Sequence, residues 1–190
     1  MSARVGTIAL LAVVFCAGVC VRAQAQDAAP RFTISGTSTV RAWSCPAQGV
    51  LKITPGKSSP PVPGFPNGVQ SATITVSVKA IECEEEQMRE HLREALKEKT
   101  YPQIVYQLVQ YTMTGPDAAR ATGKMTITGV TRPVDFDVKL VPSAQGVRTV
   151  GETSIDMTQF NVAPPVIWQG LLKVGKDVRI RFDAVLPPPQ

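Results

Sequence analysis

Apolar and polar residues alternate with a period of two along most of this chain, and in one place the period lengthens to that of a helix. Val69–Ile81 is the clearest stretch. Ile74, Val76, Val78 and Ala80 fall on one face and Thr73, Thr75, Ser77 and Lys79 on the other, as in an antiparallel strand with one buried side. Similar alternation predicts strands over residues 32–43, 49–54, 121–128, 131–141, 147–157 and 177–186. In the last of these, Val178, Ile180, Phe182 and Ala184 oppose Arg179, Arg181 and Asp183. Residues 103–113 also read as a strand but are apolar on both faces, with Ile104, Tyr106 and Leu108 against Val105, Val109 and Tyr111. Gly36 is expected to mark a bulge in the first strand.

Between the third and fourth strands, residues 84–99 change to helical spacing. Met88, Leu92, Ala95 and Leu96 form one apolar stripe. Glu84, Glu85 and Glu86 sit at the positive end of the helix dipole and Lys97 and Lys99 at the negative end. Glu86/Arg89, Glu90/Arg93 and Glu94/Lys97 are spaced to pair along the helix. A proline-rich connection, residues 55–66, is stiff and unable to join a sheet ladder. It reads as a long surface loop, or else as a strap over a barrel end or a docking motif. Eight strands and one helix predict an all-β fold, an eight-stranded antiparallel β-barrel capped by the helix. Barrels of that size either fill themselves with side chains or hold one small ligand.

Three motifs in sequence order add to this. They are the helix ending before Tyr101-Pro102, the strand start with Pro102, Ile104 and Tyr106, and the hairpin from Gly123 to Arg132, Gly-Lys-Met-Thr-Ile-Thr-Gly-Val-Thr-Arg. Together they resemble the YceI-like family of lipid (polyisoprenoid)-binding proteins, over roughly residues 32–186. The resemblance implies a lipocalin-like antiparallel barrel enclosing a long isoprenoid chain. Where the best-known members carry a His-Ser type start, this chain has Gly36-Thr37-Ser38-Thr39-Val40-Arg41-Ala42-Trp43. It looks like a variant branch with a cysteine pair.

The first 25 residues read as a signal peptide: Arg4, an apolar run over residues 5–21, and a small-x-small site at Ala23-Gln24-Ala25. Cleavage is expected after Ala25, leaving a single domain over residues 26–190 in the periplasm or outside the cell. The run is too short to favour a membrane span. Its removal takes Arg4, Arg22 and no acid, leaving 18 basic against 15 acidic residues, a net +3. The remaining cations alternate along strands rather than forming the stripe a nucleic-acid binder needs. Cys45 and Cys83 remain of four cysteines. Two cysteines in an exported chain read as one disulfide, with buried thiols or a metal site as alternatives. A metal site would need more ligands, and the chain has one His. No metal and no cofactor is expected.

That one His, His91, lies on the shoulder of the helix stripe. No G-x-S-x-G, H-E-x-x-H, Walker loop or dinucleotide fingerprint accompanies it. It is read as a polar lid residue, near enough to the mouth to touch a ligand head group, and the protein as not an enzyme; a hydrolase using His91 is a third reading. Asp135/Asp137 and Asp177/Asp183 fall on outward positions, where they solubilise the barrel. The inward face supplies the candidate site: Ile74, Val76, Val78, Ile104, Tyr106, Leu108, Met125, Ile127, Phe136, Val138, Ile180 and Phe182. The candidate lid is Met88, His91, Leu92 and Leu96. From the residues alone these inward positions could equally be an ordinary packed core. The resemblance turns them into a tunnel for a lipid or isoprenoid ligand. The alternative is a cavity-free structural or interaction module of the envelope. The oligomeric state stays open, a homodimer included.

Overall fold

The computed structural model describes residues 29–59, 61–143, 146–167 and 171–186. The proposed signal peptide, Pro60 and Trp168 lie outside them. Eight long strands, β1 (Arg31–Ser38), β2 (Ala42–Pro55), β3 (Val69–Ile81), β4 (Gln103–Gly115), β5 (Ala118–Ile127), β6 (Val130–Ser143), β7 (Gly146–Asp156) and β9 (Leu172–Leu186), pair antiparallel in sequence order. The pairing of β1 with β9, Phe32 beside Phe182 and Ile34 beside Ile180, closes the barrel. A two-residue strand, β8 (Val166–Ile167), adds to the start of β9. The one α-helix among the described residues, α1 (Glu86–Ala95), stands between β3 and β4.

Because neighbours run up and down, the connections sort into two ends. The β1–β2 turn, α1, the β5–β6 turn and the segment from β7 to β9 surround one end, the mouth. The proline-rich segment and the β4–β5 and β6–β7 turns surround the other, the base. No helix among the described residues is long and apolar enough to cross a membrane.

Four local features depart from the sequence pattern. The expected first strand, residues 32–43, is a hairpin broken at Thr39–Arg41, and the short second strand is the far part of a 14-residue β2. Ser38 makes the turn with its side chain: its Oγ accepts from the Val40 and Arg41 N–H groups (3.3 and 3.1 Å) and donates to the Arg41 carbonyl (2.8 Å). A serine-built turn needs neither Gly nor Pro. The second departure is α1, which covers only Glu86–Ala95 of the expected 84–99. Lys97 has φ 52°, its N–H bonds the Glu94 carbonyl, and the Glu98 N–H reaches back to Arg93. This is the Schellman stop usually made by glycine. The expected pairs along the helix give way to contacts off it, as Arg89 and Arg93 turn to Glu82 and Arg93 to Glu98.

Third, β4 has a register shift between Leu108 and Gln110. The bulge moves the inward face from even positions (Ile104, Tyr106) to odd ones (Met113), which explains a strand apolar on both faces. Fourth, the proline-rich segment is not merely a surface loop. Val62-Pro63-Gly64-Phe65 forms a tight turn with Gly64 at φ +80°, where proline and then glycine suit the two central positions. It drops Phe65 into the base at 2% exposure. A Cβ on Gly64 would overlap Val147.

Candidate functional site: an apolar cavity under the helix

Four aromatic rings cross the barrel at mid-height. Tyr106 meets Phe136 edge-on at 5.1 Å between centroids, Phe136 meets Phe182 at 5.4 Å, and Phe182 lies 6.4 Å from Phe32. Such tilted contacts add to the area that each ring buries. Glycines on neighbouring strands make the space: a Cβ on Gly123 would overlap the Tyr106 ring, and one on Gly151 the Phe182 ring. The Tyr106 hydroxyl donates to the carbonyls of Ala121 (3.2 Å) and Val134 (3.4 Å). Burial, with a smaller contribution from Asp135, raises its pKa well above the ordinary phenol value. The phenol is a neutral structural strut.

Below this floor Val138, Leu140, Val147, Ala184, Leu186 and Phe65 are all buried, in a packed base. Above it is a cavity of about 210 Å³ with almost wholly apolar walls. A single water needs only about 10–15 Å³, so this is no packing defect. The solid, cavity-free barrel considered from sequence is therefore not what the chain builds.

Nine of the twelve inward residues named from sequence line the cavity: Ile74, Val76, Ile104, Tyr106, Met125, Ile127, Phe136, Ile180 and Phe182. Three do not. Val138 is buried in the packed base, Leu108 sits at the β4 bulge, and Val78 is buried near the mouth end of β3 outside the cavity wall. All four lid residues, Met88, His91, Leu92 and Leu96, face the cavity.

Sequence reading missed part of the wall: Phe32, Ile34, Trp43, Ile155, Val174 and Val178 line it as well. Their alternation was legible and could have found most of them. The mouth segment after β7 adds Met157, Val162 and Pro165. There Asp156 caps a 3₁₀ turn, Met157–Phe160, by accepting from the Thr158 N–H at 2.9 Å. Hydrogen bonds from Lys176 and Thr158 hold the Asp156 carboxyl down at about 2.

The lid has no fully buried residue and is tied down at its start. Cys45 and Cys83 form a disulfide, joining β2 to the segment that enters α1. Cys45 lies within β2 rather than at a strand end, and is completely buried. Arg41 at the β1–β2 turn pairs with Glu85, the residue that precedes α1. Arg93 Nη2 donates to the Lys79 carbonyl at 3.0 Å. The described residues of the proline-rich segment, one sequence reading of which was a strap over a barrel end, contribute nothing to the wall and lie at the other end. Among the described residues no group of His, Cys, Asp and Glu could hold a metal ion.

The comparisons point to the same closed antiparallel barrel. The YceI-like domain matches residues 24–186. The chain belongs to the YceI-like family. This YceI-like barrel is similar to the crystal structure of BcnA from Burkholderia cenocepacia, with 18% identity and a TM-score of 0.68 over 83% of this chain and 96% of that one. The YceI protein of Campylobacter jejuni matches at 16% identity and TM-score 0.60, over 75% of this chain and 82% of that one. A polyisoprenoid-binding domain from Saccharophagus degradans, implicated in plant cell wall breakdown, matches at 11% identity and TM-score 0.62, over 86% and 97%. Identities this low establish a common fold. Among curated proteins none matches significantly.

Proposed function

We propose that this YceI-like protein is exported and holds an amphiphilic lipid with a long apolar chain, an isoprenoid for choice, in the cavity between the aromatic floor and α1. It sequesters the lipid or carries it across the periplasm, and its role is binding rather than catalysis. The cavity itself carries the reading: the upper half of the barrel leaves apolar space that a packed core would have filled. Each methylene buried there is worth about 0.8 kcal/mol, so even a partly enclosed chain would bind well. The Saccharophagus relative, a polyisoprenoid-binding domain, supports the ligand class. Export is supported by the signal-like first 25 residues and by a disulfide, which suits an oxidising compartment.

The lid offers a route for entry and release. It packs a partly buried stripe on the cavity and is fastened by one covalent tie and exposed ion pairs, which hold little energy individually. Displacing its far end would open the mouth without disturbing the strand ladder.

Native mass spectrometry of the mature protein purified from the periplasm, followed by organic extraction, tests the reading. A bound mass that extracts as a polyprenyl or other lipid is the expected result. A bare protein that also refuses isoprenoids added in vitro would overturn it.

A further inference from the structure

Among the described residues, polar groups on the cavity wall are few, and apart from Tyr106 in the floor, whose hydroxyl is already bonded to the Ala121 and Val134 carbonyls, they lie at the mouth. Ser38, Arg41, Glu85, Gln87 and His91 are the ones that bear on a ligand head. Arg41 and Glu85 pair with each other, each more than half exposed, so their charges cancel at the water-facing rim. Gln87 is exposed. His91 differs from the rest. It is half-buried in the lid, and its Nε2 is buried with no hydrogen-bond partner.

Resting on the lipid-holding reading above, we propose that the ligand carries a neutral hydrogen-bonding head, a hydroxyl or carbonyl, which meets His91 under the lid while the apolar chain runs down to the aromatic floor. An unpaired buried polar atom is costly to leave without a partner, and a ligand head supplies one. A hydroxyl suits either tautomer of the imidazole, since it can donate to a bare Nε2 or accept from a protonated one. A phosphate or diphosphate head is disfavoured. It needs charge-assisted donors to offset desolvation, and the one guanidinium on the wall among the described residues, Arg41, already faces Glu85.

The test is a competition for the mature protein, read by native mass spectrometry, among geranylgeraniol, geranylgeranyl diphosphate and the headless hydrocarbon of the same chain. The alcohol is expected to win by about tenfold over each rival, the scale of one neutral hydrogen bond in a dry site. His91→Leu should erase the preference for alcohol over hydrocarbon while hydrocarbon uptake persists, which also shows that the variant is folded. His91→Gln should restore part of it. Preferential uptake of the diphosphate, or an alcohol preference untouched in His91→Leu, would overturn the proposal and leave the carrier reading standing. Uptake of none of the three by the wild type would bring down both.

Discussion

The two halves of the barrel are built from the same strands with the same alternation, yet one is solid and the other hollow. At the base, Leu140, Val147, Ala184 and Leu186 close on one another with Phe65 pressed in from the proline-rich turn. At the mouth, Ile34, Ile74, Ile104 and Ile180 stay only partly buried, packed against the core but facing open space. What differs is the plug. A loop that drops one aromatic ring into the base completes it. The helix over the mouth lies across the rim and puts no side chain fully inside. A barrel's inward pattern therefore specifies walls, and its end caps decide whether the walls enclose a core or a site.

Truncating one residue from each half is the sharpest way to break that contrast. Leu140→Ala in the base should cost about 2–5 kcal/mol, as for large-to-small changes in a packed core. Ile104→Ala at the cavity should cost less than half as much, because its side chain already lacks neighbours on one side. Urea unfolding of the two ligand-free variants decides it, and equal losses would mean that the upper half is as tightly packed as the lower.

Removing the disulfide with Cys45→Ala and Cys83→Ala should lower stability by about 2–4 kcal/mol. Hydrogen exchange should then rise first in residues 84–100, with β5 and β6 least affected. A uniform rise would show that the cross-link steadies the whole barrel and not the lid in particular.

Lys97→Gly should stabilise by up to about 1 kcal/mol. It relieves a left-handed conformation that glycine adopts without strain, and the gain should appear in exchange of the lid rather than of the base.

The smallest effect concerns acid. The Asp156 carboxyl is held at about 2 against an ordinary value of 3.8. Its stabilising contribution is therefore complete above about pH 4 and is lost as pH falls through about 2. The melting temperature should drop over that window, and by less in Asp156→Asn. Loss of order should be confined to the 3₁₀ turn at the mouth.

The sequence by itself determined much of this protein. Period-two alternation identified strands and their inward faces, because a pleated strand with one buried side leaves no other pattern. The stripe Met88, Leu92, Ala95, Leu96 identified the helix and the face it packs on the barrel, and Cys45 and Cys83, the pair outside the first 25 residues, suggested the disulfide. Tertiary structure decided the remainder. Ser38 and Lys97 end elements through side-chain and backbone hydrogen bonds, with neither glycine nor proline to mark the place. The β4 bulge switches faces in mid-strand, so Leu108 left the wall and Met113 joined the core. Val138 and Phe136 share one face of β6, yet one lies in the packed base and the other in the cavity floor. Nothing in the alternation separates them. Their fates depend on which rings from neighbouring strands settle over Gly123 and Gly151, and on Phe65 arriving from a loop to fill only one end.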